Sequence, residues 1–221
     1  MLEARLQKHI NLLVERYPKL DRIRQSIINA YLIREECYSH DGKFMIAGNG
    51  GSAADSEYIA GELMKRFKTP RPVTEDFAQK LVEVDPVRGP LLAKNLERGL
   101  MAIPLVAYEA LSTAYINDVD GYGVFVQQLL GFGRPGDVFL GISISDNSQN
   151  IMNAVAVAKA SGIKVIGLTG AKGGELTTAA DGGVKAPETE ICMIQELYFP
   201  IYHCWCLMLE EKILRTKVGI I

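Results

Sequence analysis

The sequence predicts an α/β fold: a three-layer α/β/α sandwich around a mainly parallel five-stranded sheet, with a helical pair at the N-terminus and a long C-terminal helix. From residue 42 onward, short apolar runs of strand character alternate with longer runs of helical period, as in parallel strands joined by crossover helices. The central runs, Val138-Phe139-Leu140 and Val165-Ile166-Gly167-Leu168, are apolar without alternation, as strands covered on both faces are. A length of 221 residues predicts one domain, 1–221, with enough interior to fold without cross-links.

Leu2, Leu6, Ile10, Leu13 and Tyr17 form a helical stripe over residues 2–17, which Pro18 ends. Asp21 is placed to cap a second helix running to about Cys37, with Ile23, Ile27, Ala30 and Tyr31 facing inward. This pair, residues 1–40, reads as packing scaffold or subunit interface. Strand one is expected at 43–47 and its helix from 52 to about 67. Residues 69–99 break the pattern: Thr69-Pro70-Arg71-Pro72 is rich in turn formers, Pro86 and Gly89-Pro90 follow, and a short helix fits 91–100. So long a connection reads as a lid, an interface arm or an inserted segment. Strand two is expected at 103–107, a short helix at 121–131, strand three at 137–142 and a helix at 147–161. Strand four at 164–169, a weak strand at 183–186 and a long helix from 190 to 214 complete the chain.

A formal net charge of -2 gives a nucleic-acid partner no electrostatic support. No apolar run is long enough to span a bilayer, and the first residues read as amphipathic helix rather than signal peptide, so the cytoplasm is the expected compartment. The cysteines are Cys37, Cys192, Cys204 and Cys206. The last two lie two apart in an apolar helical run, on different faces, which suits neither a disulfide nor a zinc knuckle; buried free thiols are expected.

Chemistry concentrates in two loops. Gly48-Asn49-Gly50-Gly51-Ser52 follows strand one, and Ser143-Ile144-Ser145-Asp146-Asn147-Ser148 follows strand three. A strand, a small-residue loop and a helix aim free N–H groups and hydroxyls at an anion. The first loop lacks the lysine of a P-loop and the glycine spacing of a dinucleotide fingerprint, so no nucleotide cofactor is expected. In the second, an N-cap role accounts for one of Ser143, Ser145 and Ser148, not for three hydroxyls. Together the loops predict a phosphorylated small molecule held from two sides. From the residues alone, Glu62 is either a solvated helix carboxylate or a base near a substrate anchored at the loop. His203, between Tyr202 and Cys204, is either a satisfied core residue or an acid.

The run Gly48-Asn49-Gly50-Gly51-Ser52-Ala53-Ala54-Asp55, then Glu62, then Ser143-x-Ser145-x-Asn147-Ser148, resembles the SIS (sugar isomerase) domain, a flavodoxin-like fold, and within it the phosphoheptose isomerase group. The resemblance covers nearly the whole chain apart from roughly residues 73–99. It implies that Asn49, Gly51, Ser52, Asp118, Ser143, Ser145, Ser148 and Gln195 bind substrate, that Glu62 is the base, and that His203 is the acid. The implied reaction shifts a proton between C1 and C2 of the open-chain sugar through an enediol, converting sedoheptulose 7-phosphate to D-glycero-D-manno-heptose 7-phosphate. The resemblance also implies a homo-oligomer, a tetramer, with sites at subunit interfaces.

Some members of the group bind zinc through the glutamate, the glutamine and the histidine, here Glu62, Gln195 and His203, plus a histidine four residues before the glutamate. That position is Tyr58 here, a poor zinc ligand, which weakens the expectation of Zn2+. Tyr58 shares the helix face of Glu62 and is placed to donate to a substrate oxygen instead. The second loop departs from Ser-Thr-Ser-Gly-Asn-Ser: Ile144 loses a hydroxyl, and Asp146 sets a carboxylate beside the phosphate loop. A non-catalytic sugar-phosphate-binding or partner protein of the replication-initiator-associating type, and an isomerase for another sugar phosphate, stay open as alternatives.

Overall fold

The computed structural model describes residues 2–145 and 147–214. The chain opens with α1 (Ala4–Arg16), a 3-10 turn (Pro18–Ile23) and α2 (Arg24–Ser39), then β1 (Phe44–Gly48) and α3 (Gly51–Met64). Next come α4 (Glu75–Val84), α5 (Gly89–Asn95), β2 (Ala102–Pro104), α6 (Glu109–Asp118) and α7 (Val124–Phe132). The second half is β3 (Val138–Ile142), α8 (Gln149–Ala160), β4 (Lys164–Thr169), α9 (Glu175–Ala179), β5 (Gly182–Lys185) and α10 (Ile191–Leu209), which runs into a π-helical turn, Glu210–Leu214.

The five strands form one sheet in the order β2-β1-β3-β4-β5, and every pairing is parallel. The expected α/β architecture is borne out. Alternate residues of each strand feed two separate cores, as the two-residue strand period requires. Phe44, Ile46, Val138 and Leu140 pack with the N-terminal helices, α3 and α10. Met45, Ala47, Phe139 and Val165 pack against α7, α8 and α9 on the other face. That double burial is why these strands read as uninterrupted apolar runs.

Several elements differ from expectation. The chain does not enter α2 through an Asp21 cap; the 3-10 turn begun by Pro18 intervenes, and Asp21 accepts from Arg24 Nε at 2.8 Å. Strand two is only Ala102–Pro104, an edge strand on which Pro104 is tolerated, and its last ladder bond runs from Leu105 N to Ile46 O at 2.8 Å. Residues 69–99 contain two helices rather than one. Thr74 caps α4, its hydroxyl accepting from Phe77 N at 3.3 Å, and the later helix is Gly89–Asn95. None of the residues of α4 is buried, so α4 and α5 form an arm packed mainly on itself. Helices α6 and α9 were not anticipated. All four cysteines are free thiols, and three are buried as expected, but Cys192 is exposed.

An ion pair locks the ends of α3 and α10. Arg71 and Glu210, 2 % and 3 % exposed, meet at 2.8 Å. Glu210 also accepts from the backbone N–H groups of Phe67 at 3.0 Å and Thr69 at 3.1 Å. Arg71 donates onward to the carbonyls of Leu63 at 2.8 Å and Glu62 at 3.1 Å. The guanidinium thereby occupies two of the carbonyls that the end of α3 leaves without helical partners.

Candidate active site

The sheet order places a topological switch between β1 and β3: the chain leaves β1 toward one edge for β2 and returns to the other side for β3. Crevices at such points, beyond the carboxyl ends of the strands, are where open α/β sheets bind ligands. Both small-residue loops leave from there. In the β1–α3 loop, Gly50 has φ +57° and ψ -120°, a conformation that side-chain-bearing residues avoid, and Gly51 starts the helix. In the β3–α8 loop, Ser143 N still donates to Leu168 O at 3.1 Å, extending the sheet to the first serine. The three hydroxyls then gather: Ser143 and Ser148 lie 3.0 Å apart, Ser145 and Ser148 3.2 Å, and Ser143 and Ser145 3.4 Å. The loops are clasped across 101 residues. Asn49 Nδ2 donates to Asn150 Oδ1 at 3.0 Å, and Asn150 Nδ2 returns a bond to Asn49 Oδ1 at 2.8 Å.

A cavity of about 430 Å³ opens here, within the range that holds a small ligand. Five of the sequence-derived residues line it: Asn49, Ser52, Ser143, Ser145 and Ser148. Lys172, Glu188 and Thr189, from the loops after β4 and before α10, also line it and escaped the sequence reading. The available signal was the glycine-flanked turn Gly170-Ala171-Lys172-Gly173-Gly174 at the carboxyl end of strand four. Asp146 lies outside the described residues.

Gln195 docks on the start of α3, where a Cβ added at Gly51 would overlap its Nε2. Tyr202 donates to Asp55 Oδ1 at 3.2 Å, and the rings of His203 and Tyr58 lie 5.6 Å apart. Position increases on both helices together, so α10 and α3 run side by side in the same sense. Glu62 is in the last turn of α3, its side chain 12 % exposed and 3.9 Å from Lys65 Nζ. Neither Glu62 nor His203 lines the serine cavity. His203 instead borders a separate cavity of about 300 Å³ between α1 and α10, together with His9, Arg16 and Glu196. Asp118 closes α6, exposed, with Asn117 Nδ2 donating to its Oδ1 at 2.7 Å; it lines neither cavity.

Around His203 stand four rings: Phe199 at 4.5 Å, Phe67 at 5.0 Å, Tyr202 at 5.2 Å and Tyr58. Its Nε2 is buried with no hydrogen-bond partner among the described residues. Burial holds its pKa below the ordinary value, so the ring is neutral near pH 7. Tyr58 lies between this ring and Glu62, one turn before Glu62 on α3. Desolvation and the Glu62 carboxylate raise the pKa of its phenol, which stays protonated as a donor.

The arrangement does not fit zinc. The Gln195 amide packs on Gly51 at the start of α3. His203 is enclosed by carbon rings, and a phenol holds the remaining position. No three His, Cys, Asp or Glu side chains converge to hold a metal ion among the described residues.

A family profile described as the SIS domain matches residues 10–170. The phosphoheptose isomerase of Aneurinibacillus thermoaerophilus is 37% identical over 182 residues, covering 82% of this chain and 79% of its own. Phosphoheptose isomerase 2 of Campylobacter jejuni is 35% identical over 202 residues, covering 91% and 88%. Among solved structures, the phosphoheptose isomerase of Neisseria gonorrhoeae aligns with a TM-score of 0.70 at 27% identity, over 96% of this chain and 100% of that one. On these matches the chain belongs to the SIS domain family, in its phosphoheptose isomerase group, and is a sugar-phosphate isomerase.

Proposed function

We propose that the chain interconverts sedoheptulose 7-phosphate and D-glycero-D-manno-heptose 7-phosphate through an enediol. The supporting observation is the triangle of serine hydroxyls in the cavity from which the Glu62-bearing helix departs. The N-terminus of α3, with Ser52 beside it, favours the phosphate of the sugar. Ser52 and Glu62 are ten residues apart on α3, a rise of about 15 Å, and helix side chains lean back toward the N-terminus. An extended seven-carbon chain with its phosphate spans roughly 10 Å, so a phosphate at Ser52 sets C1 and C2 within reach of Glu62.

In this reaction the Glu62 carboxylate removes the C1 proton of the ketose and returns it to C2. His203, neutral at working pH, moves the second proton between the two oxygens, donating to O2 and accepting from O1. Tyr58 holds the oxygens between the two groups as a neutral donor. Gln195 and Asp118 are proposed to bind the sugar hydroxyls.

His203 and the serine cavity are completed, in this proposal, by a second copy of the chain in a homotetramer. Tyr58, Phe199 and Leu12 are exposed around the His203 cavity, and the α4–α5 arm leaves Phe77, Val84 and Val87 uncovered. Free cysteines suit a reducing compartment, the cytoplasm.

The test is turnover of sedoheptulose 7-phosphate by wild type, Glu62→Gln and His203→Ala. Each variant is expected to lose about 10²–10⁴ in kcat. Equal turnover by all three would refute the assignment of base and acid.

A further inference from the structure

We propose that Lys172 is the counter-cation of the bound phosphate and sets the preference of the site for a phosphorylated over a neutral sugar. The proposal deepens the isomerase function above and rests on the serine cavity being its phosphate subsite. Hydroxyls and helix N-termini offer hydrogen bonds and partial charges, and a phosphate dianion is held more tightly when a full positive charge joins them. Lys172 is the one cationic side chain among the described residues that line the cavity.

The turn that carries Lys172 is fixed. Gly173 N donates back to Gly170 O at 3.2 Å, and Ala171 N donates to Glu188 O at 2.9 Å, pinning the turn to the loop that leads from β5 into α10. Gly173 has φ +59°, and a Cβ there would collide with the Lys185 side chain, so a second ammonium group stands beside the same turn. Glu188 lines the cavity too and would oppose an anion, but Lys19 pairs with it. Lys172 makes no ion pair or hydrogen bond with any described residue. Two walls therefore face the ligand: the three serine hydroxyls of the β3–α8 loop and, on the turn after β4, an ammonium group with no ion-pair partner among the described residues. These loops leave adjacent, parallel strands at their carboxyl ends.

Inorganic phosphate is the probe, titrated calorimetrically into wild type, Lys172→Met, Lys172→Arg and Ser145→Ala. Lys172→Met is expected to weaken phosphate binding about tenfold, and Lys172→Arg to restore most of it. The affinity of wild type should fall more steeply with added salt than that of Lys172→Met. In turnover, Lys172→Met should raise KM for the sugar phosphate about tenfold and leave kcat within about twofold. Phosphate affinity unchanged in Lys172→Met but lost in Ser145→Ala would overturn the role of Lys172 and leave the subsite standing. Failure of wild type to bind phosphate would overturn both.

Discussion

Replacing Glu210 with glutamine keeps the size of the side chain and removes its charge from a site only 3 % exposed. The Arg71 guanidinium, 2 % exposed, would then be a buried cation without a counter-ion. The Phe67 and Thr69 N–H groups, bonded to Glu210 at 3.0 and 3.1 Å in the native protein, would share one amide oxygen. Breaking one side of a buried ion pair costs about 3–5 kcal/mol. For a chain of this length each kcal/mol is worth about 2–4 °C in Tm, so Glu210→Gln should melt about 6–20 °C below wild type. Thermal and urea unfolding at one fixed protein concentration would measure it, because self-association would otherwise shift the apparent stability. Arg71→Met/Glu210→Met should recover part of the loss, since no charge is left buried, though the orphaned N–H groups remain. Turnover should fall with Glu210→Gln as well, because Arg71 grips the carbonyl of Glu62. A loss under about 1 kcal/mol would show that water or a rearranged Arg71 satisfies the site, and would refute the claim that this pair fixes the end of α3.

Three further outcomes are expected. Burial lowers the pKa of His203, so above its ordinary value of 6.5 the group is neutral in folded and unfolded chains alike and has no effect. As pH falls below that value the unfolded chain takes the proton first and stability is lost; His203→Phe should lose less between pH 7 and pH 5 in urea titrations, and equal losses would contradict this. Arg34 is buried with its guanidinium 3.4 Å from the centre of the Trp205 ring, one nitrogen unpartnered, and burial lowers its pKa to about 9. Arg34→Met should therefore be neutral or stabilising, and a loss above about 2 kcal/mol would mean that stacking on Trp205 outweighs the desolvation. Gly50→Ala meets no neighbour within 4 Å, so its expected cost of about 1–3 kcal/mol is backbone strain at φ +57° and ψ -120°; a smaller value would imply that the loop relaxes, and phosphate binding should weaken in step.

The sequence made β1, β3 and β4 legible because each is buried on both faces and so carries no polar interruption. The two small-residue loops were legible for a local reason too: strand, loop and helix are contiguous in each. Helix α6 was not, because it buries none of its residues and so leaves no apolar stripe. Helix α9 is five residues long, too short for a period to register. Pro18 does mark the end of the first helix, which stops at Arg16; what its sequence did not reveal is the 3-10 turn that it opens and that carries the chain directly into α2. At the site, Lys172 was hidden because its relevance depends on β4 lying beside β3, which no local pattern encodes. The neighbours of His203 were hidden for the same kind of reason: they come from α3 and the loop after it as well as from α10, and only the parallel packing of the two helices brings Tyr58 and Phe67 to one ring.

The paired amides of Asn49 and Asn150 each use both a donor and an acceptor on the other. Loss of either side chain removes both bonds at once and leaves the other amide to water, so the two positions act as one unit in holding the loops together. A chain that keeps one asparagine while changing the other breaks the clasp as surely as one that loses both.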